Sequence, residues 1–444
     1  MSDIIYEIMN VKILLVNPPI YDFAAYDFWL KPYGLLSVAG FLRGKADFKL
    51  FDYLDRLTPL VANQKGLESD QWGRGRFFCK VIPNPKILSD IPRYFRRFGL
   101  PRCLFEDFLK NNEPSDFVLI QTMMTYWYQG VREVVEDIRK TWPRAKIILG
   151  GNYVTLCPSH AKSLGADFLV EGNNLKPLWE YLDIEPDLMQ PALWQAYEKL
   201  NTAVLRLTDG CPFSCTYCSV PKVYGKFKVR PLECSLAELE LLRKLGVRNI
   251  AFYDDALTFE AEKVFVPFLE EVLKRDIKVN FHSPNGLNAC FITPALAKLM
   301  VQAGFKTFHL SLESISPKWQ QQTGPKVSSD ELKQAVGHLI AAGAEPTNNI
   351  TAYQILGHPH INVQQLEASM RFVNSLGIRG MLADFSPIPD TPDGELCRKW
   401  VNMDEPLMHN KTAFPIILLG FDEANRLKDL QRRLNRSLHN HQSY

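Results

Sequence analysis

The sequence predicts an α/β protein of two units in series: an N-terminal Rossmann-like parallel sheet, then a partial (β/α)6 barrel with a short C-terminal extension. Three observations predict it. Over residues 11–182, short β-rich runs alternate with helical periodicity, as a parallel sheet with crossover helices requires. From Ala203 onward a strand-then-helix unit repeats six times. At 444 residues the chain exceeds one ordinary domain. The expected division is 1–185 for the first unit, 186–200 for a linker, 201–390 for the barrel and 391–444 for the extension.

In the first unit, Val11–Val16 reads as a buried strand ending in the turn Asn17-Pro18-Pro19. A helix over Tyr33–Leu42 and a strand over Phe48–Tyr53 follow. Asp116–Gln121 is the third strand, Val131–Ile138 a helix, Lys146–Leu149 the fourth strand and Asp167–Val170 the fifth. In open sheets of this kind ligands sit at the carboxyl ends of the strands. Those ends carry Asn17, Thr122–Tyr126 with Thr125 and Tyr126, Gly150-Gly151, and Glu171-Gly172-Asn173. Paired glycines let a backbone approach a bulky ligand, and they also serve plain turns. An insertion over about residues 56–114 interleaves arginines and aromatics, as in Trp72–Phe78 and Arg93–Phe98. It reads as a lid that packs its aromatics on the neighbouring domain, with a stacking and anion-binding surface as the alternative.

The barrel strands are placed at Val204–Leu207, Asn249–Tyr253, Lys278–Phe281, Thr307–Leu312, Asn349–Leu356 and Met381–Phe385. Ser235–Glu238 and Ser328–Glu331 have the spacing of capping boxes, and Thr293-Pro294 places proline at a first helical position. Leu236, Leu239, Leu242 and Leu245 form one apolar stripe. Gly246, Gly304, Gly343 and Gly377 follow helices as C-terminal caps. In the extension, Thr391–Gly394 reads as a turn, Cys397 as a packed thiol, and Asp422–Tyr444 as a polar surface helix that frays.

The chemistry is concentrated at the end of the first barrel strand, in Cys211-Pro-Phe-Ser-Cys215-Thr-Tyr217-Cys218. Three thiolates at C-x3-C-x2-C on one loop suit three irons of a [4Fe–4S] cube, and with no fourth cysteine nearby the fourth iron stays open to a ligand. A structural zinc site, the bland alternative, needs four ligands, commonly as two separated pairs. Nine scattered cysteines without a secretory signal argue against a disulfide framework and for a reducing cytoplasm. The net charge of +2 gives no bias toward nucleic acid, and the longest apolar runs are too short to span a bilayer.

With its aromatic residue before the last cysteine, this motif resembles the signature of the radical S-adenosylmethionine (SAM) superfamily. The resemblance implies that Cys211, Cys215 and Cys218 ligate the cluster. It further implies that Asp254-Asp255, at the second strand's end, receive the methionine amino group of SAM. Arg230 is the candidate for its carboxylate, Ser311 and Glu313 for the ribose, and Gly357 for adenine, with Asn285 and Tyr217 in the same mouth. The usual Gly-Leu-Pro-Gly after the fifth strand is Gly357-His358-Pro359 here, which leaves His358 without a role. The N-terminal unit, strongest over Asp116–Gly172, is similar to the cobalamin-binding domain of one class of these enzymes. It lacks the Asp-x-His-x-x-Gly loop, the first histidine being His160, and it ends in Glu-Gly-Asn rather than Glu-Gly-Glu.

The function implied is reductive cleavage of SAM to a 5′-deoxyadenosyl radical, with cobalamin-dependent methyl transfer to an unactivated carbon of a small molecule or peptide. An external electron donor of flavodoxin or ferredoxin type, no membrane partner and no nucleic acid are expected with it. The alternatives are a cobalamin-free radical enzyme, performing cyclisation, rearrangement or methylthiolation, and a non-catalytic cobalamin- or cluster-binding regulator. Cys79, Cys103 and Cys157 are the spare thiols that raise the methylthiotransferase reading, although that class places a cysteine where Asn17-Pro18-Pro19 stands.

Overall fold

The computed structural model describes residues 11–61, 66–324, 327–360 and 362–440. The N-terminal sheet is five parallel strands: β1 (Val11–Asn17), β2 (Ala46–Asp52), β3 (Phe117–Thr122), β4 (Lys146–Gly151) and β5 (Phe168–Val170), in the order β2-β1-β3-β4-β5. Leu14 and Val16 face one core with Phe51, Val118 and Ile120, while Ile13 and Leu15 face another with Leu119 and Ile148. Burial on both faces is why these strands read as continuous apolar runs rather than alternating ones.

The barrel strands are β6 (Thr202–Leu205), β7 (Asn249–Phe252), β8 (Asn280–Asn288), β9 (Phe305–Glu313), β10 (Ile350–Leu356) and β11 (Arg379–Asp384), all parallel and paired in chain order. Phe308, Leu310 and Leu312 point to the helix side, so Thr307, His309, Ser311 and Glu313 line the inner face by alternation. Ser328 and Glu331 form the expected capping box, and Thr293 accepts from the Leu296 amide.

Ser235–Glu238 is not a helix start. The helix begins at Leu232 behind Pro231, and both residues are buried in its interior. Glu238 instead joins the two units: Tyr33 Oη donates to it at 3.0 Å and Trp194 Nε1 at 2.8 Å, with Arg230 Nη1 at 3.5 Å. The segment expected as a linker is therefore packed, with Trp194 fully buried against the barrel.

The insertion contributes two strands, Cys79–Ile82 and Phe95–Phe98, to an antiparallel ribbon completed by Ile20–Asp22. Its aromatics pack on the barrel. Trp72 lies 5.3 Å from the ring of His282, and Arg74 sits 5.3 Å over each of Phe28 and Trp29. Phe28 and Trp29 in turn contact His309 and His282 on the inner face of the barrel.

The tail is docked rather than frayed over its described residues. Helix Phe421–Asn440 buries Leu427 and Leu430 against Leu356, Leu366 and Met370, and Asn435 both accepts from and donates to the backbone of Gly380. It thereby covers the edge strand β11. Residues 441–444 lie outside the described residues.

Candidate functional site

The cysteine loop is closed at its base by a short antiparallel pairing of Thr208-Asp209 with Lys228-Val229. Gly210, at φ 72°, lets the chain cross: a Cβ there would lie 3.0 Å from the carbonyls of Gly225 and Lys226. The loop then leans on the barrel's fourth unit. Thr216 N donates to Thr323 O at 3.0 Å, and a Cβ on Gly324 would sit 3.4 Å from Cys215 Cα. Cys211, Cys215 and Cys218 are all half-buried, as ligands shared between a protein and a bound group should be.

Among the described residues no three His, Cys, Asp or Glu side chains close round a single ion, which is what a zinc site needs. A cube presents separate irons to separate thiolates, so three half-buried cysteines on one loop are the donor type and number such a cluster would need.

Asp254 sits beside this loop, 3% exposed. Its Oδ1 accepts three hydrogen bonds, from Leu207 N at 2.9 Å, Thr208 N at 2.6 Å and Thr208 Oγ1 at 2.7 Å. Its Oδ2 is buried with no hydrogen-bond partner. Burial pushes this carboxyl up to about 6, against the pull of Thr208 and Arg206. A buried carboxylate with one unsatisfied oxygen is what a bound ammonium group would complete. Asp255 lies 3.9 Å from Arg206, whose guanidinium stacks over Tyr224 at 4.5 Å. Asn285 Nδ2 donates to Asp254 O at 3.2 Å, and Asn288 Nδ2 is a second buried group without a partner.

On β9, Ser311 is 2% exposed and approaches Gly286 so closely that a Cβ there would lie 2.3 Å from its Oγ. Glu313, 8% exposed, has φ 58° at a register shift against β10. A non-glycine residue held left-handed at a strand end is a local strain typical of functional positions. Tyr217 is half-buried over this mouth; desolvation first, then the charges of Glu313 and Cys215, push its phenol well up.

Two of the expected contact residues also have neighbours of their own within the protein. Arg230 Nη1 donates to Tyr33 Oη at 2.6 Å and to Arg206 O at 2.9 Å, which places it beside Glu238 in the interdomain contact. Gly357, at φ 82°, is required by the extension: a Cβ there would lie 2.7–2.9 Å from Pro415.

The N-terminal edge faces the same mouth. Asn173 Nδ2 donates to Tyr224 O at 2.6 Å, and a Cβ on Gly172 would lie 3.7 Å from Val223 O. Asn17 donates to Asp52 at 2.7 Å, and Asp52 also accepts from Tyr197 Oη at 2.5 Å. Thr125 is bonded to His409 of the extension at 2.9 Å. Tyr126 is 1% exposed and near enough to Asp22 and Asp384 for both charges to raise its phenol, after burial itself. Gly151 has φ 122°, and a Cβ there would lie 2.0 Å from Thr122 O; Gly150 packs on Val170.

Sequence reasoning missed the side chains behind the loop, Asp393 and Trp319, which meet His358. Asp393 stood in a segment that reads as a turn, and only the odd His358 signalled that the region differs.

Residues 205–373 match the family model described as the radical SAM superfamily. The chain carries a radical SAM domain. Such a domain works with a [4Fe–4S] cluster and SAM. Bacteriochlorophyllide d C-12(1)-methyltransferase of Chlorobaculum tepidum is 31% identical over 235 residues, 50% of this chain and 48% of that protein. The ribosomal protein uS12 methylthiotransferase RimO of Carboxydothermus hydrogenoformans is 29% identical over 285 residues, 59% of this chain and 65% of that one. The chain spans about half the length of the methyltransferases it matches. The solved structure of the radical SAM methyltransferase TsrM from Kitasatospora setae, with cobalamin and a [4Fe–4S] cluster bound, aligns with a TM-score of 0.63 at 14% identity, over 88% of this chain and 78% of that one. The likeness shows a shared fold across both units of this chain. No helix among its described residues is long and apolar enough to cross a membrane.

Proposed function

We propose that this chain is a cobalamin-dependent radical SAM methyltransferase acting on a small molecule or peptide. The observation that carries this reading is the contact between the two ligand-bearing edges, where Asn173 of the N-terminal sheet reaches Tyr224, six residues past Cys218. A group seated on the N-terminal edge would face the radical site directly. When bound, the cluster and SAM supply a 5′-deoxyadenosyl radical and cobalamin supplies the methyl carrier.

The chain's own residues bind and orient. Asp254 Oδ2 accepts from the ammonium group of SAM, which supplies the partner its buried oxygen lacks. Glu313 and Ser311 accept the ribose hydroxyls, and the closed inner face beneath them, plugged by Trp29 and Phe28, excludes water. Gly150, Gly151 and Gly172 leave the ends of β4 and β5 without side chains, which fits a flat macrocycle laid against backbone. The loop that follows β1 carries no histidine, the first in the chain being His160, so cobalamin would sit there without a protein imidazole from that loop. An external donor of flavodoxin or ferredoxin type delivers the electron.

Methylthiolation is the second reading, favoured by the RimO likeness. It requires a second cluster, and Cys79 lies on a strand, Cys103 on a helix and Cys157 between two short helices, rather than on one loop. Anaerobic purification from corrinoid-supplied cells decides between them. About four irons and one corrinoid per chain support the methyltransferase; about eight irons and no corrinoid support the rival. Absence of both 5′-deoxyadenosine and S-adenosylhomocysteine after dithionite and SAM would overturn the enzyme reading.

A further inference from the structure

Thr216 lies between Cys215 and Cys218, and its hydroxyl is bonded to the C-terminal extension. Its Oγ1 donates to Asp393 Oδ2 at 2.5 Å, while Asp393 N donates back to Thr216 O at 3.2 Å. Asp393 belongs to the C-terminal extension, on the short helix Pro392–Leu396 that Thr391 caps. The same Oδ2 accepts from His358 Nε2 at 3.0 Å, and Oδ1 lies 3.5 Å from His360 Nε2. His358 Nδ1 accepts from Trp319 Nε1 and from His360 N, both at 3.2 Å. With Nδ1 accepting twice, the single imidazole proton must be on Nε2, where it meets the carboxylate. Burial holds His358 below its usual range, in keeping with a neutral ring.

His358 is fully buried, and Asp393 and Trp319 are each 3% exposed. Trp319 also stacks at 6.0 Å on Tyr217, so the network grips the cysteine loop at two consecutive residues. A buried carboxylate contributes little net stability over apolar packing, and its best-attested benefit is a single geometry. The extension is anchored independently of the loop: Asn410 donates to Asp22 at 2.8 Å, and His409 bonds Thr125.

We infer that Asp393, oriented by His358, is a positioning residue that fixes the cysteine loop through Thr216, so the C-terminal extension sets the geometry of the cluster site. This rests on the loop holding a cluster. The expectation follows the behaviour of residues that orient metal ligands, whose loss typically lowers metal affinity about 10- to 100-fold.

The test uses the full chain, purified without oxygen and reconstituted with iron and sulfide. Thr216→Val removes the donor at nearly constant volume, Thr216→Ser restores it, and Asp393→Asn and His358→Phe probe the rest of the relay. The readouts are iron loss to a chelator, the electron paramagnetic resonance spectrum of the reduced protein with and without SAM, and the melting temperature of the iron-free chain. Thr216→Val is expected to lose iron at least about ten-fold faster than wild type, with a shifted spectrum and an unchanged iron-free melting temperature. Thr216→Ser is expected to match wild type. If Asp393→Asn or His358→Phe fails to fold, the Thr216 pair alone decides. A wild-type rate and spectrum in Thr216→Val overturn the positioning role. A wild-type chain that takes up no iron overturns the cluster reading itself, and is distinguished by needing no variant.

Discussion

The two facing edges use similar residue types for different ends. At the barrel mouth, Asp254 and Asn288 are buried and each keeps a polar atom without a protein partner, while Glu313 holds a strained backbone. At the N-terminal edge, Asn17, Asp52 and Thr125 have partners within the protein, and Gly151 is demanded by the carbonyl of Thr122. Asp254 and Asn288 at the mouth are incomplete without a ligand; at the opposite edge Asn17, Asp52 and Thr125 are complete without one, and the buried Tyr126 Oη is the group left open. A polar residue at a strand end marks a site only when its hydrogen bonds are not already made.

The strongest way to break this comparison is at the cysteines. Cys215→Ser is expected to lower iron from about four per chain to below one on anaerobic analysis; retained iron would move the cluster elsewhere. At the other edge, Gly151→Ala should act on folding, since its Cβ would meet Thr122 O. A loss of about 3 kcal/mol or more in the iron-free chain is expected from denaturant titration, because both φ and space are wrong. Gly172→Ala has room and should cost only about 1–2 kcal/mol; a fall in bound corrinoid beyond that loss would show a ligand at this edge.

Asp254→Asn sharpens the contrast from the mouth. It should weaken SAM binding about ten-fold by calorimetry. The unliganded stability at pH 7 should hold or rise, because burial disfavours the charged form. A large loss of unliganded stability would make Asp254 a structural residue like Asp52.

The smallest effect is on pH. Burial lowers His309 and His409 to about 4 from an ordinary 6.5. A group whose folded pKa is depressed contributes stability that is present above 6.5 and lost as pH falls toward 4. Asp254 and Asp55, raised to about 6, gain stability over the same fall in pH, so the histidine share, on the order of 1–3 kcal/mol each, is read as a difference in melting temperature between wild type and variant. His409→Gln should flatten its share, since His409 ties the extension to Thr125.

Much of this was legible in sequence because it is local. The β-rich runs, the glycines after helices, the Ser328 capping box and the C-x3-C-x2-C loop all follow from spacing along the chain. The errors came where long-range contacts override local pattern. Ser235–Glu238 has capping-box spacing, yet Glu238 is drawn into a helix interior by Tyr33 and Trp194, more than forty residues distant at the least. The tail is polar enough to read as fraying, but Leu427 and Leu430 suffice to dock it on an otherwise open edge strand.

By itself, the sequence determined the order of β/α units and the thiolates at the end of the first barrel strand, because ligand type and spacing are properties of a short segment. Only the tertiary structure decided which polar groups remain available to a ligand. Arg230 and Asn17 are bonded to partners from remote parts of the chain, while Asp393 gains its place beside the cysteine loop only when the extension folds back. Hydrogen-bond satisfaction is set by the whole molecule, and one chain segment cannot show whether another has already met its needs.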